Sequence, residues 1–315
     1  MSDVDNKGNK IICSASTLEL IKNAEAMELE DAKQAGALGF IARAMILATL
    51  PHRDPGDIPV WGRNNGDFSL LIQPGYRKDP HSDEMVCVGF PYGTKPRLFL
   101  AWISTEAVKT QERTLVLGDS LSDFMRDVGY SGSLSGGKNG SMTLMRDQMI
   151  RTLSARFQWS YSEQKRDGGG GLQIADNYDL WWLPQKAEQA GLWQSTIELS
   201  EKFFDEIKNN PVPIDMRAMK ALRSSPLCLD IYLWLTYRNS YLSRPTQIPW
   251  ISLMRQFGSG YRDVKQFKFQ FEQAVRKVLT VYTTARVEFS QESLILKPSP
   301  THVPMTAKTV KKLVE

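Results

Sequence analysis

The alternation of apolar and polar positions is sharpest near the carboxyl end. In "GYRDVKQFKFQFEQAVRKVL", residues 260–279, a helical advance of about 100° per residue from Val264 gathers Phe267, Phe271, Ala274, Val275, Val278 and Leu279 into an arc of roughly 140°, the width of a buried face. The remaining circumference carries Arg262, Gln266, Phe269, Gln270, Gln273, Arg276 and Lys277, flanked by Lys265 and Glu272. A second helix is predicted from Ser141 to about Ala155. Its apolar stripe is Met142, Met145, Met149 and Leu153, which leaves Thr143, Asp147, Gln148, Arg151 and Ser154 outward.

The segments around these two helices repeat one order. Between Pro51 and about Pro184, "FSLLIQP" and "EMVCVGF" predict strands, "TKPRLFLAWISTEAV" a helix, "TLVLG" a strand and "DSLSDFMRDVGY" a short helix stopped at Gly129. The Ser141 helix follows, then "FQWSYSE", a glycine-rich tip "KRDGGGG" and "YDLWWLP". From about Leu192 the plan returns: the strand "LWQSTIELS", the helix "EKFFDEIKN", a long helix with a break near Pro226, the strand and helix of "TQIPWISLMRQFG", the Val264 helix, and a hairpin around Gln291. Helix, strand, helix, helix, strand, tip, strand is the order of a winged helix, with the tip as wing. The expected fold is α+β, with tandem winged-helix domains behind an N-terminal helical segment. The expected boundaries are 1–50 for that segment, disordered at its start, 51–185 and 186–298 for the two domains, and 299–315 for a mobile tail.

Length and composition suit two globular domains: 315 residues, 42% hydrophobic and 23% charged. The net charge of +4 makes local clustering decisive. Residues 1–34 hold seven carboxylates against four lysines, so this segment suits packing on the next domain or on a second protomer better than DNA. From Tyr261 to Arg286 six cations face two carboxylates, which matches the excess of the whole chain.

Several chemistries are disfavoured. Cys13, Cys87 and Cys228 lack CxxC spacing and His52, His81 and His302 are isolated, so neither a metal site nor a cofactor is expected. No apolar window is long enough for a membrane span, and a cytoplasmic location is expected. Paired carboxylates and a nucleophile elbow are missing, which argues against an enzyme. "GSLSGGKN", residues 132–139, has phosphate-loop spacing but places Asn139 where Mg²⁺ binding needs Ser or Thr, and it follows an amphipathic segment rather than a buried strand. Lys138 there suits a DNA phosphate better than an ATPase.

Duplex DNA is the partner these residues fit. Gln pairs bidentately with adenine, Arg and Lys with guanine, and an exposed Phe lies against a thymine methyl. Arg262, Lys265, Gln266, Phe269, Gln270, Gln273, Arg276 and Lys277 form the principal candidate surface. Thr143, Gln148 and Arg151 form a weaker one, and Lys165 and Arg166 at the tip would reach the backbone or minor groove. The competing readings are an ordinary solvated face, which Phe269 and the three glutamines argue against, and a plain surface loop for the tip.

The blocks "LPHRDPGDIPVWGRNNGDFSLLIQPGY", "VGFPYGTKPRLFLAWISTEAV", "LVLGDSLSDFMRDVGY", "PVPIDMRAMKALRSSPLCLDIYLWLTYR" and "RKVLTVYTTARVE" together resemble plasmid-encoded RepA replication initiators, over about Leu50 to Pro298. The resemblance implies a non-catalytic initiator that binds repeated sites (iterons) in double-stranded origin DNA and helps open an adjacent AT-rich region. It also implies recruitment of the host replication initiator and helicase, and copy control through self-repression as a homodimer. No base-contacting residue is taken from the resemblance. A repressor without an initiation role is the alternative.

Overall fold

The computed structural model describes residues 15–47, 49–65, 68–79, 82–117, 125–126, 128–130, 140–163, 166–180, 195–258 and 260–304. The first half of the chain forms α1 (Ala15–Leu29), β1 (Leu38–Ala42), α2 (Arg43–Leu47), β2 (Trp61–Asn65), β3 (Phe68–Gln73), β4 (Gly75–Lys78), β5 (Met85–Gly89), α3 (Thr94–Thr110), β6 (Thr114–Leu117), α4 (Ser141–Ser154), β7 (Arg156–Glu163), β8 (Arg166–Gln173) and β9 (Ala175–Asp179). The second half forms β10 (Ser195–Leu199), α5 (Glu201–Asn209), β11 (Pro211–Asp215), α6 (Met216–Ala221), α7 (Pro226–Asn239), β12 (Thr246–Pro249), α8 (Trp250–Phe257), α9 (Val264–Val281), β13 (Arg286–Phe289) and β14 (Ser293–Lys297). Helices and antiparallel sheets interleave, so the chain is α+β. The sheets run β2-β3-β7-β8, β6-β10-β9, β12-β14-β13, β4-β5 and β1-β11.

Helix α7 lies at the centre. Ser225 caps it by accepting from the Cys228 N–H at 3.2 Å, and Pro226 stands in the first turn, where its missing N–H costs nothing. The break near Pro226 is therefore a helix start. Every residue from Leu227 to Thr236 is buried, as befits a helix surrounded by other elements.

The N-terminal segment is not helical throughout to Leu50. Residues 38–42 form β1, paired antiparallel with β11 from Leu38 opposite Asp215 to Ala42 opposite Pro211. Gly39 makes this approach feasible, because a Cβ there would come within 2.6 Å of the Met216 side chain. Pairing between segments 169 to 177 residues apart overrides the local helical pattern of "GALGFIARAMIL".

The glycine run differs from expectation too. Gly168 to Gly171 lie inside β8, opposite Tyr161 to Gln158 of β7, and not at the hairpin tip. A Cβ on Gly170 would meet the Trp159 ring at 2.7 Å, so the bare strand leaves room for the indole. The predicted boundary near residue 185 falls between β9 and β10, which pair in one sheet. In the carboxyl segment, residues 299–304 are held against the body. The Tyr282 hydroxyl donates to the Pro300 carbonyl at 2.7 Å, Tyr232 Oη lies 2.9 Å from His302 Nδ1, and Val303 is buried. Residues 305–315 are outside the described residues.

Candidate nucleic-acid interface

Helix α9 opens where Asp263 accepts from the Gln266 N–H at 2.8 Å, an N-cap that fixes the first turn. Phe267, Phe271, Ala274, Val275, Val278 and Val281 are buried, and Phe271 packs against Trp250 and Phe257 of α8 with ring centroids 6.2 and 5.4 Å away. Burial of that stripe turns the opposite side outward. Arg262, Lys265, Gln266, Phe269, Gln270, Gln273, Arg276 and Lys277 are all exposed, Phe269 to 59%.

Lys268 does a different job from its neighbours. Its Nζ donates to the carbonyls of Ser290 at 2.9 Å and Gln291 at 3.1 Å and stands 5.2 Å from the Trp250 ring centroid, which fastens the β13–β14 turn to the helix. The Arg276 guanidinium lies 5.0 Å from the Phe289 ring centroid on β13. Helix and hairpin are thus held as one surface.

That surface divides in two. Gln273, Arg276, Lys277 and Thr280 line a cleft shared with Ser16, Thr17, Glu19, Leu20 and Asn23 of α1. Arg262, Lys265, Gln266, Phe269 and Gln270 stand outside it, toward the start of α9. Periodicity finds both sets but carries no trace of α1.

On α4 the expected outward face is corrected. Met145, Met149 and Leu153 are buried as the stripe predicts, but Gln148 is buried as well, its Oε1 accepting from the Tyr92 N–H at 2.8 Å. An amide spent on the backbone before α3 is unavailable to a base. Arg151 is committed to Asp147 at 2.8 Å and Asp54 at 3.3 Å, with its guanidinium 5.4 Å from the Tyr92 ring centroid. Thr143 is half-buried in a cavity of about 420 Å³ between α4 and the β4–β5 hairpin. Arg77 and Arg146 line the same cavity, and burial, then the nearby Arg77 charge, pushes the Arg146 guanidinium below its usual value. The helical wheel missed this pair because Arg77 comes from a hairpin that only the fold brings to α4. Arg166 begins β8 with its backbone opposite Glu163, while Lys138 and Lys165 lie outside the described residues.

Among the described residues no cluster of His, Cys, Asp and Glu could hold a metal ion. Among them also, no helix is long and apolar enough to cross a membrane.

What fold and surface define together is an α+β protein that presents one cationic, amide-bearing helix beside a pinned hairpin. The chain belongs to the family of plasmid-encoded RepA proteins, whose family model matches residues 90–250, just over half of its 315 positions. Among solved structures it resembles a selenomethionine crystal structure of domains 2 and 3 of RctB, with a TM-score of 0.49 and 10% identity over 80% of this chain and 94% of that one. No curated protein matches the sequence.

Proposed function

We propose that this protein is a plasmid replication initiator that reads repeated sites in origin DNA with α9. The observation that carries the reading is the exposed row Arg262, Lys265, Gln266, Phe269 and Gln270 on a helix whose other side is sealed in the core. Arg, Lys and Gln are the side chains that pair bidentately with bases in a major groove, which is wide enough to admit an α-helix. Support for a winged-helix second unit comes from the order α7, β12, α8, α9, β13, β14 and the sheet order β12-β14-β13. The first unit follows a similar order but departs in pairing, since β6 bonds to β10 rather than to β8. There Arg77 and Arg146 would contact backbone phosphates, which add affinity without reading sequence. Membership of the RepA family supports the initiator role, with recruitment of the host initiator and helicase, dimeric self-repression and a cytoplasmic location belonging to the same reading. The chemistry is binding, and no catalytic step is assigned.

Footprinting on DNA flanking the coding region tests this directly: protection of regularly spaced repeats is the expected result, and uniform protection at all sequences would sink it. A plasmid that carries the protected repeats but lacks an initiator gene should replicate when the protein is supplied in trans. Binding without replication would leave repression alone.

A further inference from the structure

A cleft of about 570 Å³ opens where α1, the start of α3, the turn between α6 and α7, and the C-terminal half of α9 meet. Four cations from three different elements line it: Lys95 from α3, Arg223 from the turn, and Arg276 and Lys277 from α9. Glu19 of α1 is the carboxylate on its wall. None of the four cations forms an ion pair with a described residue, although Arg223 Nη1 donates to the Lys220 carbonyl at 2.8 Å and the Arg276 guanidinium stands against Phe289.

Two of the cations share Tyr130 as a neighbour, and a third acts on another residue of the wall. Lys95 Nζ lies 5.7 Å from the Tyr130 ring centroid, and Tyr130 Oη lies 3.4 Å from Thr94 Oγ1. Arg223 is near enough for its charge to act on the Tyr130 hydroxyl, and Lys277 for its charge to act on the Cys228 thiol at the cleft wall. Burial pushes the Lys95 ammonium below the usual lysine range. The N-terminus of α3 adds to the same field: its cap is Gly93, no side chain caps it, and Thr94 and Lys95 form its first turn. A desolvated ammonium at a helix N-terminus is costly unless an anion joins it, and the described lining offers one carboxylate against four cations. The volume is that of a small-molecule site, larger than a lone carboxylate needs, and an uncapped helix N-terminus with Lys and Arg suits phosphate oxygens.

From this geometry we infer that the cleft is a binding site for phosphate groups, either of a free nucleotide or oligophosphate or of the DNA backbone. The free-ligand form is independent of the proposed function, whereas the DNA form rests on it.

The test uses the full chain in phosphate-free buffer and compares wild type with the Lys95→Gln/Arg223→Gln double variant, after melting curves establish that both are folded. Calorimetric titration with ATP and with pyrophosphate should show saturable binding that the double variant weakens at least tenfold, while Lys109→Gln, at the far end of α3 outside the cleft, leaves it unchanged. If neither compound binds, DNA affinity decides. The double variant should then lower the slope of log affinity against log salt by about two units, one per lost phosphate contact. Should the double variant fail to fold, Lys277→Gln, an exposed substitution, serves in the ATP and pyrophosphate titrations, and its slope is expected to fall by about one unit. Variants that match wild type in both measurements would overturn the inference. Because ATP and pyrophosphate titrations need no DNA, failure of the origin-binding reading and failure of this one are distinguishable.

Discussion

At the scale of single residues, the strongest constraint is Asp230, a carboxylate in the middle of the central helix. Arg97 donates to it through Nε at 2.6 Å and Nη2 at 2.8 Å, and His52 Nε2 lies 2.8 Å from Oδ2. Arg97 Nη2 also donates to the Leu50 carbonyl at 2.7 Å, so one ionic node ties the chain before β2, the start of α3 and α7 together. Burial alone would raise the Asp230 carboxyl; the Arg97 charge and the hydrogen bonds from His52 and Arg97 outweigh it and hold the group below its usual range. Removing one partner strands the other in the core, so Asp230→Asn should cost about 3 to 5 kcal/mol in denaturant unfolding. A loss under about 1 kcal/mol would contradict this account. Acid acts on this node and on the buried His302 with a defined sign. Burial pushes His52 and His302 below 6.5, so the unfolded chain takes up their protons first, and stability falls as pH drops through that value. Asp230, also depressed, adds a second loss that begins below its ordinary 3.8. Denaturant midpoints measured from pH 8 to pH 3 should decline in that order, and Asp230→Asn should remove the lower step.

Among elements, α9 and its hairpin form the surface proposed to read DNA, and α4 shows how closely the first unit is built. Gln270→Ala, exposed and outside the cleft, should weaken specific binding by about 1 to 3 kcal/mol and relax preference at one base pair. Equal loss on cognate and random duplex in a competition assay would remove base reading from that residue. Arg77→Ala, on the β4–β5 hairpin, should weaken all duplexes alike and reduce the salt slope by about one unit. The β4–β5 hairpin meets the end of α4 at Gly75, where a Cβ would lie 2.6 Å from the Ser154 carbonyl oxygen. Neither backbone can yield cheaply, so Gly75→Ala should destabilise by about 1 to 3 kcal/mol, read from the thermal midpoint. The helical face of α9 was legible because amphipathic periodicity is local: burying one stripe of an 18-residue helix decides where the others point. Gln148 was not legible, since its burial depends on a backbone N–H 56 residues away.

For the whole molecule, strand pairing and core packing cross the expected boundaries near residues 50 and 185. β1 pairs with β11, β6 and β9 both pair with β10, and the buried hydrophobic residues form one cluster from Ala24 to Leu296. Calorimetry should therefore show one cooperative transition with matching van't Hoff and calorimetric enthalpies, and two resolved transitions would mean that the units fold apart. The sequence by itself determined the helical stripes, the helix start near Val264, the carboxyl hairpin and the concentration of positive charge on α9, because each depends on residues within a few turns of one another. Only the tertiary structure decided that residues 38–42 are a strand, that the glycine run lies against Trp159, and that α1 meets α9 over a cationic cleft. Those outcomes depend on contacts between distant segments, where the hydrogen-bonding partner or the room for a side chain is supplied by residues that no local pattern can point to.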